Sequence, residues 1–194
     1  MAKQQDGDNL ATKENLLQLI EGTLPWETSR GLMRMENKDE DRFQKYIEVL
    51  QERASWPDKI LVRIAEHLYV VQKKDKSRVV KCTCGQEFGD YRVNWKLSCR
   101  VRVRKTEAEL AEVISLDKVI PNPELVEARE FYCPGCLAQL AVEVVPVGYP
   151  VIFEMLPDID QVYREQGMPL PDQSPEWFED RTTEQTRLWA KGVK

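Results

Sequence analysis

Two close cysteine pairs limit what this chain can fold into more than any other feature. Cys82 and Cys84 form C-T-C-G, Cys133 and Cys136 form C-P-G-C, and forty-eight residues lie between the pairs. A structural zinc ion takes four soft donors in a tetrahedron, and two such pairs brought together by folding supply four thiolates. Residues two apart on a strand share a face, so the C-x-C spacing still lets both sulfurs of the first pair reach one ion. Gly85 and Gly135 suit the tight turns in which backbone N–H groups point at thiolate sulfur. The competing readings are plain reduced core cysteines or a redox-active thiol pair. With all four thiolates engaged no coordination position stays open, so the metal is expected to be structural rather than catalytic. The fifth cysteine, Cys99, falls in an alternating apolar stretch and is read as a packing residue.

The chain has one histidine, His67, which excludes imidazole-rich metal sites within it. No glycine-rich phosphate loop, dinucleotide fingerprint or nucleophile elbow occurs, and His67 stands beside no serine or cysteine in a recognisable arrangement. The chain alone is therefore a poor candidate for an enzyme. With 42% hydrophobic and 31% charged residues it can bury a core. A formal charge of −5 argues against a protein devoted to coating nucleic acid. No apolar run approaches the roughly 18 residues of a membrane span. The opening MAKQQDGDNLATKENL lacks the pattern of a secretory leader, so a cytoplasmic location with reduced cysteines is expected.

Along the chain, Leu16, Leu17, Leu19 and Ile20 followed by Gly22 predict a short helix. A turn-rich piece, LPWETSRG, follows, and Trp26, Leu32, Met33 and Met35 are expected outside any helix. Phe43, Tyr46, Ile47 and Leu50 recur at i, i+3, i+4, i+7 behind three acids, which predicts an amphipathic helix ended by Trp56-Pro57. Its stripe docks either on its own core or on another subunit. LVRIAEHLYVVQ and SRVVKC, separated by KKDK, predict a hairpin. In KLSCRVRVR, Leu97, Cys99, Val101 and Val103 fall on one face and Ser98, Arg100, Arg102 and Arg104 on the other. Thr106 and Glu109 have capping-box spacing. LAVEVVPVGYPVIF again reads as strand until Pro146. From Pro157 a proline-broken tail carries Trp177, Phe178 and Trp189, which predicts an arm lying on something.

Tyr91 to Lys105 carries Arg92, Lys96, Arg100, Arg102, Arg104 and Lys105, with no acid among them. The stretch fits nucleic acid, or an acidic protein partner; the acidic total favours the partner.

The runs CTCGQEFGDYRVNWKL, RVRVRKTEAELAEV and AREFYCPGCLAQLAVEVVPVGYPVIFEMLPDID, with RFQKYIEVLQERASWPDKI upstream, resemble the gamma subunit of the acetone carboxylases and related ketone carboxylases. The likeness spans roughly Asp41 to Tyr163. At Leu137 the chain departs from the family's usual C-P-x-C-G. The resemblance implies a small subunit that carries zinc on cysteines. Its larger alpha and beta partners would bind ATP and a divalent metal such as Mg or Mn, and would turn a ketone and bicarbonate into a beta-keto acid, acetone giving acetoacetate. It implies ligands Cys82, Cys84, Cys133 and Cys136, no catalytic residue in this chain, and neither nucleic acid nor membrane as partner. The alternative is a stand-alone zinc-ribbon adaptor binding nucleic acid or protein.

The fold class expected is α+β: N-terminal helices over 1–57, a small β-rich zinc-ribbon-like module over 58–156, and an extended C-terminal arm over 157–194.

Overall fold

The computed structural model describes residues 10–36, 39–114 and 120–192, so the leader question, which falls mainly on residues 1–9, lies outside the described residues. The class is α+β, with helices and two antiparallel sheets. The first helix, α1 (Lys13–Glu21), begins where Thr12 Oγ1 accepts the Asn15 N–H and ends at Gly22, whose φ of 71° suits glycine. The turn-rich piece is in fact helical: α2 spans Trp26–Arg34 behind Pro25, with Leu32 buried. Proline supplies the preset φ for a helix start, and burial of Leu32 holds a segment that its own periodicity left unassigned. The amphipathic stretch is α3 (Arg42–Arg53), tied to α1 through Lys13–Glu48 (2.8 Å) and Arg53–Glu21 (2.6 Å).

Strands β1 (Lys59–Ala65), β2 (Leu68–Gln72), β3 (Arg78–Cys82) and β4 (Glu87–Asp90) form an antiparallel meander in chain order. β2 and β3 are buried almost throughout because both faces are covered. Tyr69, Val71 and Val79 pack with Leu50 of α3. Leu68, Val70, Val80 and Cys82 point the other way, into a second cluster with Phe88, Tyr91 and Cys133. The stripe of α3 thus docks on its own sheet, chiefly through Leu50, Tyr46 and Ile47.

A 3₁₀ turn, Trp95–Ser98, leads into the second sheet, β5 (Arg100–Arg104), β6 (Val126–Tyr132) and β7 (Gln139–Pro146), again a meander. The helix α4 (Glu107–Ala111) between β5 and β6 has the predicted capping box of Thr106 and Glu109. The alternation predicted for Leu97–Arg104 holds only in part. Leu97 lies in the 3₁₀ turn, Val101 on the edge strand is 47% exposed, and Arg104 is buried. Arg104 finds its carboxylates in its own chain, Glu130 at 2.6 Å and Glu112, instead of across an interface.

The C-terminal segment is not an extended arm. It carries α5 (Ile159–Glu165), a 3₁₀ turn (Pro175–Phe178) and α6 (Thr182–Gly192). Ile159, Tyr163 and Leu170 belong to the cluster under β2 and β3, with Trp177 packed against it. Tyr163 Oη donates to the Leu61 carbonyl at 3.0 Å, and Phe43 of α3 meets the Tyr163 ring edge-on at 5.3 Å. An apolar surface of the module needed covering, and this segment was the apolar stretch within reach.

Candidate metal centre

Cys82 is the last residue of β3 and Cys133 the first after β6, and both are buried. Cys84 and Cys136 sit in the turns that follow and are exposed. Each sheet therefore contributes one hairpin end, and the four sulfurs converge where the ends meet. All four Sγ atoms lie within 4.8 Å of one another, and Cys99 is not among them. Cys82 Sγ is 3.8 Å from Cys136 Sγ, and Cys84 Sγ is 3.7 Å from Cys133 Sγ. These separations are too long for a disulfide. They match the roughly 3.8 Å edge of a tetrahedron with metal–sulfur bonds of about 2.3 Å. The donor set therefore fits a thiophilic metal ion, and the four cysteines could hold one.

Short backbone bonds shape the two turns. Gly85 N–H donates to the Cys82 carbonyl (2.8 Å) and Cys82 N–H to the Gln86 carbonyl (2.8 Å). In the second turn Leu137 N–H donates to the Cys133 carbonyl and Cys133 N–H to the Ala138 carbonyl, both at 3.0 Å. Burial pushes the Cys82 and Cys84 thiols above the usual cysteine range, whereas the Ala138 N–H aimed at Cys136 holds that thiol below it. A divalent cation reverses the burial penalty, because coordination requires the thiolate.

Glycine acts differently in each turn. Gly85 has φ 96°, a backbone conformation that side chains resist. Gly135 is where the two hairpins touch: a Cβ there would stand 3.3 Å from Gln86 Cβ and 3.4 Å from Cys84 Sγ. Leu137 has φ 62° although it is not glycine, which costs about 1–2 kcal/mol. Trp56, read from sequence only as a helix terminator, braces the first turn. Its Nε1 donates to the Thr83 carbonyl at 3.2 Å, and its ring meets Tyr69 edge-on at 5.9 Å. No local periodicity signals that role; the contact exists only once β3 has folded back. His67 serves the same turn through its carbonyl, which accepts the Thr83 N–H at 2.9 Å.

Cys99 packs against the main cluster, and burial pushes its thiol up to about 12. Five of the six cations in the basic stretch meet carboxylates of the same chain, Arg102 reaching Glu112 at 3.5 Å and Lys105 reaching Glu127 at 3.8 Å. Arg92 pairs with Asp90, Arg104 with Glu130, and buried Lys96 with Glu143 and Glu154.

Residues 54–167 match the family described as acetone carboxylase gamma subunit. The chain belongs to that family. It is 37% identical over 165 residues to an acetone carboxylase gamma subunit of Xanthobacter autotrophicus, covering 84% of this chain and 97% of that one. An acetophenone carboxylase beta subunit of Aromatoleum aromaticum is 32% identical over 80 residues, covering 41% of this chain and 62% of that one. The family match contains all four cysteines and ends just after α5.

Proposed function

We propose that this chain is the zinc-bearing gamma subunit of an ATP-dependent ketone carboxylase complex, bound to larger alpha and beta subunits in the cytoplasm. The observation that carries this reading is the identity to an acetone carboxylase gamma subunit over nearly all of that subunit's length. In this reading Cys82, Cys84, Cys133 and Cys136 hold one zinc ion. The ion supplies cross-linking charge and no open coordination position, so its role is structural. The residues around it set the sulfurs in place: Trp56 and the His67 carbonyl fix the first turn, and Gly135 lets the second approach it.

Condensation of ketone with bicarbonate, with ATP and a divalent metal such as Mg or Mn, belongs to the partner subunits. This chain offers them a rigid metal-closed module and contributes no catalytic residue. The acceptor would be acetone, giving acetoacetate, or another methyl or aryl ketone. The three-part organisation, 1–57, 58–156 and 157–194, describes the order of segments along the chain; the last packs onto the second.

Native purification tests the proposal. Two much larger polypeptides should elute with the chain, the complex should consume ATP only when bicarbonate and ketone are present, and the isolated chain should do neither. Elution of the chain alone, with a salt-dependent shift of labelled RNA, would instead support an adaptor.

A further inference from the structure

The second sheet presents a face that the first does not cover. The register places Arg102, Glu130 and Val142 across from one another, and Arg104, Ala128 and Val144 likewise, so these residues share a face of the sheet. Glu130, Ala128 and Arg104 are buried in it, while Val142 on edge strand β7 is 49% exposed and Val144 54%. At the hairpin tip from which β7 starts, Leu137 is 57% exposed. Val142 and Val144 are neighbours on one face of β7, and Leu137 stands in the turn two residues before the strand begins.

Two features separate these residues from scattered surface aliphatics. Leu137 occupies a left-handed position that glycine would fill without strain, next to a cysteine of the four-sulfur cluster, and holds its side chain in water. Strain of that kind is retained where the side chain has a use. Across the same face the exposed charged positions on β5 are Arg100 and Arg102; Arg102 lies 3.5 Å from Glu112, just past α4, and Glu130 of β6 is buried and engaged with Arg104. Arg100 is the exposed cation of this face that has no ion pair among the described residues, and a surface that meets it favourably carries Asp or Glu. The matching surface is aliphatic with carboxylates at one margin.

We infer that this face, Val142 and Val144 with Leu137 and Arg100 at its turn end, is where the chain docks on a larger carboxylase subunit bearing an aliphatic groove edged by Asp or Glu. The inference rests on the function proposed above and adds the surface that carries it.

The test uses the full-length chain co-expressed with the large subunits, alongside the chain purified alone. Leu137→Gly is expected to keep or raise the thermal midpoint and keep the metal content of the isolated chain, yet to weaken assembly about 10-fold, the loss of one well-buried contact. Val142→Lys with Val144→Lys is expected to weaken it by about 100-fold or more at unchanged metal content. Arg100→Glu should slow association and flatten its dependence on salt. Assembly of both aliphatic variants within twofold of the parent would overturn the docking surface and leave the proposed function standing. A parent chain that recruits no large subunit would overturn both.

Discussion

Arg78 Nη1 lies 2.7 Å from Asp160 Oδ1, a buried ion pair that ties the strand leading into the cysteine turn to the helix α5 far along the chain. Asp172 stands 3.4 Å from the other terminal nitrogen, Gln72 Nε2 donates to Asp172 Oδ2 at 2.8 Å, and the Trp177 ring covers the guanidinium at 4.5 Å. The guanidinium has no exposed surface and is balanced by these two carboxylates. Removing one carboxylate therefore leaves a buried cation poorly compensated. Asp160→Asn is expected to cost about 3–5 kcal/mol, read as a lowered denaturation midpoint. A loss under 1 kcal/mol would show that Asp172 alone suffices.

Loss of a thiolate should cost the metal and much of the fold. Each of Cys82→Ser, Cys84→Ser, Cys133→Ser and Cys136→Ser is expected to lower zinc content from about one per chain and to destabilise by several kcal/mol, since the ion closes a loop of about fifty residues. Cys99→Ser should keep the metal and cost roughly 1–3 kcal/mol. A strong chelator should reproduce the effect of the first four substitutions and leave any further effect of Cys99→Ser unchanged. Metal analysis and thermal denaturation check each outcome.

The close approach at Gly135 gives a more local prediction. Gly135→Ala places a methyl against Gln86 and the Cys84 sulfur. Either the hairpins separate by a few tenths of an ångström or Gln86 shifts, so metal affinity should fall several-fold in a chelator competition. The secondary structure, followed by circular dichroism, should not change.

Two buried tyrosines contribute to the loss of stability at alkaline pH. Burial pushes Tyr163 up to about 12, and burial likewise pushes Tyr91 up to about 12. The unfolded chain ionises each near pH 10. The folded state therefore binds its phenolic protons more tightly. This contribution is fully present below pH 10 and is lost as pH rises from about 10 through about 12. Tyr163→Phe should flatten the fall in unfolding free energy across that window, measured by denaturant titration at fixed pH values. An unchanged slope would mean that Tyr163 is not responsible.

The C-terminal segment separates into a structural part and a dispensable one. A chain ending at Gly167 loses Leu170, Asp172 and Trp177, which cover the cluster and Arg78, and should be destabilised by several kcal/mol. A chain ending at Thr183 keeps them, together with the Thr182 hydroxyl that accepts the Asn94 N–H at 2.9 Å, and loses most of α6, which buries no residue. Its thermal midpoint should stay within a few degrees of the parent.

Elements with short-range signals are legible in the chain. Thr12 and Gly22 bound α1, the 3.6-residue stripe of Phe43, Tyr46, Ile47 and Leu50 makes α3, Thr106 and Glu109 cap α4, and alternation marks the strands. The four cysteines announced themselves through spacing, because the chemistry of a four-thiolate site restricts spacing more tightly than packing does. The places of Arg104 and of the C-terminal segment depend on long-range packing. A guanidinium on an alternating strand reads as solvent-facing until the strand beside it supplies Glu130. A proline-broken tail reads as an arm until Asp160 and Trp177 meet Arg78 across most of the module. Such pairings lower the free energy only after distant segments have been brought together at an entropic cost, and that gain leaves no periodic trace in the chain.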